Sequence, residues 1–401
     1  MDSSSAVQDS VVLPSSSLLE SYNASTDTYF SAPDYRLLAK PPFAQLLPGV
    51  DRTDLFHRVS ESLRFATELG HEEAIVIGAV PFNASKPAYL RLSTNAEVNQ
   101  KLSVLDKRLA PIMFPVSEVA CSVTPLPNAE VFKNSISEAL SLIDSTELSK
   151  VVLSRRLQLQ SSTPFEEKNI VQRLENANQS GYTFSIDLVG ELEYEAERST
   201  LIGASPELLV SLRDGKLIAN PLAGSEPRTG DEQRDAALCE GLLRSEKDLR
   251  EHRVVVDDVI KILKPLCSNL DIPEGPSILR TPTMLHLSTE IVGELKNPAT
   301  TSVEIALALH PTPAVCGEPR ERAQETIERL ENYDRGAFCG MVGWCDAKGN
   351  GDWVVTIRCA TLKGSTATLY AGAGVVAGSC PDKEWKETGA KFKTMLNAIG
   401  I

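Results

Sequence analysis

Apolar positions recur with a helical period in "DLFHRVSESLRFATELG". Leu55, Phe56, Val59, Leu63 and Ala66 fall on one face, and Gly70 ends the pattern. The run "AIVIGAVPF" that follows predicts a buried strand, and the polar, proline-bearing stretch 84–128 predicts a connection outside the core. A helix is predicted over 129–143, where Val131, Phe132, Ile136, Ala139, Leu140 and Ile143 align. From 149 the pattern turns to strands: "KVVLSRRLQLQ", "YTFSIDLV", "LIGASPELLVSL" and "KLIANPLAG", with one helix between the first two. Helices are predicted at 231–245 and 247–267, then an irregular stretch containing "PTMLHLSTEIVGEL", then helices at 301–309 and 320–331. Three strands ("FCGMVGWCDAKG", "DWVVTIRCATLK", "ATLYAGAGVVAG") precede a last helix at 381–397. Runs of strands followed by runs of helices predict an α+β fold rather than alternating βαβ units. Residues 1–45, rich in Ser and Pro, predict a mobile arm and loosely attached edge structure, with 46–401 as a single domain.

A chain of 401 residues buries a core without staples. Its net charge of -14 argues against a nucleic-acid partner, which needs a basic face, but leaves room for a small acidic molecule held by a few cations. The eight cysteines form no CxxC pair and no zinc pattern, as suits free thiols in a reducing cytoplasm. "MDSSSAVQDS" has no basic region and does not read as a signal peptide. No apolar run is long enough to span a bilayer, so no membrane partner is expected.

Several charged residues stand where chemistry is plausible. Asp248 and Glu251 lie three apart near the start of one predicted helix, and Glu384 and Glu387 repeat the spacing in the last one. Each pair shares a helix face, which solvation or the helix dipole would also explain. Lys150 shares a strand face with Val152 and Ser154; it is either a lysine at a wet strand end or one pressed against apolar neighbours. In the second setting desolvation would lower its pKa and allow it to act as a base. Glu207 follows Pro206 and precedes "LLV", where burial would keep a carboxyl protonated. Arg358 interrupts an apolar strand and needs a partner, either a structural acid or a bound carboxylate. Lys391 lies four after Glu387, the spacing of a surface ion pair. A lone His286 in an apolar stretch reads first as a core residue, and Glu331 reads as a surface acid. "PLAGSEPRTG" lacks the GK[ST] ending of a phosphate loop, which excludes a nucleotide reading.

In order along the chain stand "KVVLSR", "GASPELL", "PLAGS", "SEKDLREH", "LHPTPAVCG", "GWCDAKGNGDWVVTIRCA", "AGAGVV" and "EWKETGAKF". Together they resemble the chorismate-utilising enzymes, and within them the isochorismate synthases of siderophore pathways. The resemblance is strong over 145–398 and looser over 50–145. It implies long, mostly antiparallel sheets surrounded by helices and a Mg²⁺-dependent site. It implies Glu251 and Glu387 as direct metal ligands, with Asp248 and Glu384 holding metal-bound water. It implies Arg358 and Lys391 on the carboxylates of chorismate, with His286, Gly224, Ala314, Val315, Ile357 and Phe338 around the substrate.

The same resemblance speaks to the nucleophile. Anthranilate synthases carry Gln where Lys150 stands, and aminodeoxychorismate synthases carry a lysine where Ala223 stands. Lys150 as base and Glu207 as acid imply water attack at C2 and loss of the C4 hydroxyl, giving isochorismate. The implied enzyme acts as a monomer without a glutaminase subunit and supplies a downstream isochorismatase. Alternatives are a salicylate synthase, a supply route to menaquinone, a silent binding module on this fold, or an amine-forming synthase with a glutaminase partner.

Overall fold

A computed structural model describes residues 18–46, 51–101, 120–188 and 198–401. The mobile arm expected over the first residues falls largely outside them. The fold is α+β. Two large antiparallel sheets carry helices around them, and a small third sheet stands beside the second.

Among the described residues the first sheet has ten strands. Near one end it pairs Lys150–Ser161 with Thr366–Val376, from Val376 opposite Lys150 to Thr366 opposite Gln160. The second sheet has nine, running from Cys267–Asp271 to Phe43–Gln45. The main core draws on both: Val151, Leu153, Phe184 and Leu201 from one, Ile77, Val210, Val342 and Val354 from the other. Burial of such branched apolar side chains is the main favourable term of the fold.

Two neighbouring strands cross from one sheet to the other. Thr200–Ser205 belongs to the first sheet and its continuation Leu208–Arg213 to the second, with Pro206 and Glu207 between. Gly351–Val355 belongs to the second sheet and Cys359–Lys363 to the first, with Thr356 to Arg358 between. The crossings are tied together: Val355 N–H donates to the Glu207 carbonyl and Ala204 N–H to the Arg358 carbonyl, each at 3.1 Å. Pro206 supplies no N–H to either ladder, and Arg358 takes a left-handed φ of 52°. Each crossing reads in the sequence as one strand; the break brings Glu207 and Arg358 to the wall of a cavity lined by strands of the first and third sheets.

Other expectations need correction. "PTMLHLSTEIVGEL" is not irregular: Met284–Ser288 joins Leu222–Pro227 and Ser277–Arg280 in the third sheet, and Ile291–Leu295 extends the second. Within 84–128 lie the strands Tyr89–Ser93, Ala96–Gln100 and Cys121–Leu126; residues 102–119 are outside the described ones. Of the N-terminal segment described, only Phe43–Gln45 is an edge strand, at the end of the second sheet. Thr28–Ser31 stands inside the first sheet between Tyr182–Asp187 and Tyr35–Ala39, with Tyr29 and Phe30 fully buried.

Two helices complete the frame. Glu246–Leu263 starts at Ser245, whose hydroxyl accepts from Asp248 N–H at 3.3 Å and in turn donates to the Asp248 carboxylate. Pro381–Ile399 has Pro381 in its first turn, where the missing N–H costs nothing, and ends at Gly400 with φ 99°. It lies along Thr366–Val376, and Arg155 pins it there. The guanidinium lies 3.5 Å above the Trp385 ring and donates to Thr388 Oγ1 at 2.8 Å. No helix among the described residues is long and apolar enough to cross a membrane.

Candidate active site

The two sheet crossings, the strand Leu222–Pro227 and the helices Glu246–Leu263 and Pro381–Ile399 converge on one cavity. Most of the expected site residues line it: Glu207, Gly224, Glu251, His286, Ala314 and Val315, and beyond them Phe338, Ile357, Arg358, Glu387 and Lys391. Asp248 and Glu384 line an adjoining, more open cavity instead, which shares Ser225 and Glu387 with the first. Lys150 lies one contact behind the wall. Its side chain is fully buried, and its Nζ stands 3.2 Å from Glu251 Oε1, an ion pair.

Glycine makes that contact possible. A Cβ on Gly374 would fall 2.1 Å from Glu251 Oε1, so a side chain there would displace the carboxylate. Gly224 has φ 77° and would place a Cβ 3.1 Å from Asp248 Cβ, so it lets the loop approach the helix. The Glu251 carboxyl is disfavoured by burial, yet Lys150 and Lys247 outweigh that cost and hold its pKa below the usual value.

Glu207 is the opposite case. It is buried, and burial pushes its pKa up to about 7 against the pull of the Leu222 N–H and of Lys150, Arg358 and Lys391. Leu222 N–H reaches Oε1 at 3.5 Å. A carboxyl whose pKa lies near neutrality is suited to donate a proton.

Arg358 lies at a crossing rather than in mid-strand. Burial lowers its pKa to about 10, while Glu387 and Glu207 oppose the shift. Its guanidinium donates to His286 Nε2 at 3.1 Å. Arginine can only donate, so His286 carries its proton on Nδ1 and gives it to Ser225 Oγ at 2.6 Å. Burial and the Arg358 charge keep this imidazole neutral, its pKa well below the usual value. His286 is thus both a buried residue and part of the lining, orienting the arginine that faces the cavity. Lys391 does pair with Glu387, at 2.6 Å, but the pair is mostly buried at the cavity and not on the surface. The ammonium also donates to the Gly372 carbonyl at 2.8 Å. Phe338 is a wall, stacked on Tyr370 with centroids 5.0 Å apart.

The four acids of the two helices offer hard oxygen donors suited to a divalent cation. Glu384 is buried, and its Oε2 has no hydrogen-bond partner. Burial and Glu387 raise its pKa to about 7, with Lys247 opposing. Among the described residues no three acidic, His or Cys side chains converge as a ready metal cage. Lys150, Lys247 and Lys391 engage the carboxylates, and the donor chemistry fits a cation that keeps several waters.

Sequence reasoning missed Ser225, Lys247, Tyr370 and Gly374. It also misplaced Glu331, which is buried and not a surface acid. Glu331 forms a two-point pair with Arg335, Nε to Oε2 at 2.8 Å and Nη2 to Oε1 at 2.6 Å, and accepts from Ser154 N–H. Arg335 also donates to the carbonyls of Val315 and Val152 at 2.8 and 2.7 Å, joining the cavity wall to the strand that carries Lys150. Glu331 caps the helix Arg320–Leu330 and Arg335 lies beyond it, so no helical spacing announced the pair.

The chain belongs to the chorismate-binding enzymes: the profile described as "Chorismate binding enzyme" matches residues 65–400. It is 44% identical over 383 residues to isochorismate synthase DhbC of Bacillus subtilis, covering 93% of this chain and 94% of that protein. It is 41% identical over 359 residues to the vibriobactin-specific isochorismate synthase of Vibrio cholerae, covering 90% and 87%. A crystal structure of a putative 2,3-dihydroxybenzoate-specific isochorismate synthase, DhbC from Bacillus anthracis, superposes with a TM-score of 0.89 at 42% identity, covering 96% of this chain and 98% of that one.

Proposed function

We propose that this chain is an isochorismate synthase that isomerises chorismate reversibly and feeds a 2,3-dihydroxybenzoate, catechol-siderophore route. The observation that carries the reading is Glu207. It is a buried carboxyl with a pKa of about 7 on one cavity with Arg358 and Lys391, in reach of the charge of a buried Lys150. The names of the relatives support the product and the route.

In this reading Lys150, once it has released the ammonium proton of its ion pair with Glu251, takes a proton from a water whose oxygen bonds to ring C2. The ring double bonds shift towards C4, and Glu207 protonates the C4 hydroxyl, which leaves as water. One water enters and one leaves, so the roles of Lys150 and Glu207 exchange in reverse. Arg358, aimed by His286, and Lys391 bind the substrate carboxylates. Glu251 and Glu387 would hold Mg²⁺ directly, with Asp248 and Glu384 on its waters. When bound, the ion would neutralise and fix the ring carboxylate. No step needs ammonia, so no glutaminase subunit is required. We place the enzyme in the cytoplasm as a monomer, upstream of an isochorismatase, in keeping with its eight free thiols.

The test is turnover in ¹⁸O-water, with mass spectrometry of both ring acids. Isochorismate should gain one ¹⁸O, and chorismate recovered at equilibrium should gain it at C4. Unlabelled isochorismate would mean that the hydroxyl migrates within the substrate and would overturn the water mechanism.

A further inference from the structure

Lys247 stands among the acids of both helices. Its Nζ lies 3.6 Å from Asp248 Oδ1, 3.9 Å from Glu251 Oε2 and 3.8 Å from Glu384 Oε1. Two of these acids share its helix, and the third belongs to Pro381–Ile399. None of the three distances is that of a hydrogen bond, so the ammonium has no dedicated partner. Its near-equal separation from three carboxylates on two helices is the placement of a shared central cation.

The surroundings agree. Glu384 is 2% exposed, and its Oε2 finds no hydrogen-bond donor, so an oxygen buried in this cluster is left over for a further ligand. Burial disfavours the Lys247 charge, but Glu251, Glu384, Asp248 and Glu387 outweigh it and hold the ammonium firmly protonated. The side chain is 29% exposed and lines the outer cavity, so its four-carbon stem can swing outward without unpacking the core.

We propose that Lys247 is a built-in counter-cation that competes with a divalent cation for Asp248, Glu251 and Glu384 and thereby sets the affinity of the site for that ion. This rests on the Mg²⁺ reading above. While the lysine is seated, it offsets repulsion among the carboxylates and holds the two helices together. A divalent ion held by Glu251, with its waters on Asp248 and Glu384, would take the place of the ammonium among these oxygens, and that displacement weakens apparent binding. The lysine acts on the ion and the helices and leaves proton transfer to Lys150 and Glu207.

The experiment is a Mg²⁺ titration without substrate on the parent, K247Q and K247R. It is read both by calorimetry and by the thermal midpoint. All three are purified in Mg²⁺, so a variant that unfolds in chelator still reports its affinity through the midpoint. K247Q should bind Mg²⁺ about tenfold tighter than the parent, since a like charge at this range is removed. Its midpoint in chelator should fall below that of the parent, and its gain on adding Mg²⁺ should be larger. K247R, which keeps the charge, should stay near the parent. Equal or weaker Mg²⁺ binding by K247Q would overturn the proposal. So would unchanged Mg²⁺ affinity with a raised KM for chorismate, which would assign the lysine to the substrate. Absence of any Mg²⁺ response in the parent would instead remove the metal reading itself.

Discussion

Lys150 Nζ and Glu251 Oε1 meet at 3.2 Å across the gap left by Gly374. The lysine comes from a strand near one end of the first sheet, the glutamate from a helix, and the glycine from the strand paired with Lys150–Ser161. A methyl group on Gly374 would occupy the position of the carboxylate oxygen, 2.1 Å away. Gly374→Ala should therefore push Glu251 off Lys150. Its backbone is not in the left-handed region, so the substitution strains packing and not φ. We expect turnover to fall by roughly 10²-fold or more, the scale of losing a positioned catalytic group, with the circular dichroism spectrum retained. Parent-like turnover would show that the contact is dispensable.

Glu207 carries a prediction with a sign. It must be protonated to release the C4 hydroxyl, and its pKa is about 7. The kcat/KM of chorismate conversion should fall as pH rises through about 7, tenfold per unit on the alkaline limb. Glu207→Gln and Lys150→Ala should each lower turnover roughly 10²–10⁴-fold, and the first should lose that limb. Stability follows the same proton. The folded-state pKa of Glu207 lies above its ordinary 4.5, so the folded state binds more protons between 4.5 and about 7. Its contribution is fully present below 4.5 and is lost as pH rises to about 7, a loss of roughly 3 kcal/mol. Glu207→Gln should flatten this part of the stability profile, measured by denaturant unfolding from pH 4.5 to 8. An unchanged slope would contradict the raised pKa.

Glu251→Ala and Glu387→Ala should raise the Mg²⁺ concentration needed for half-maximal rate by tenfold or more, an order-of-magnitude expectation for losing one of few protein oxygens. The control is Glu61→Ala, an exposed acid on the helix Arg52–Glu68, which should match the parent. Glu331 would have been a poor control, because its removal leaves Arg335 buried without its partner carboxylate. Breaking a buried pair in this way costs about 3–5 kcal/mol. Full activity of the parent in excess chelator would remove the metal role from both acidic pairs and leave them as mostly buried partners of Lys150, Lys247 and Lys391.

The sequence was most readable where periodicity and burial coincide. Leu55, Val59, Leu63 and Ala66 form the buried stripe that their spacing predicts. The acidic pairs and Glu207 were visible as charges out of place, and eight ordered motifs tied them to one fold. What stayed hidden depended on partners distant in sequence. "LIGASPELLVSL" and "DWVVTIRCATLK" are apolar on both sides of their breaks, so only Pro206 and Arg358 marked a change of sheet. Tyr29 and Phe30 sit in a short stretch flanked by polar residues, and their burial comes from Tyr182–Asp187, far along the chain. Lys247 stands in a run of charges that reads as a solvated face, and only the approach of Glu384 from another helix gives it a role.

The reading as an isochorismate synthase is tested most directly by following purified protein with chorismate and Mg²⁺ by NMR. The predicted result is a mixture of chorismate and isochorismate that reaches the same ratio from either side, with salicylate at most a slow by-product. Rapid, stoichiometric pyruvate with fluorescent salicylate would instead make this chain a salicylate synthase. Unchanged chorismate, with the protein shown to be folded and Mg²⁺ present, would contradict the catalytic reading outright.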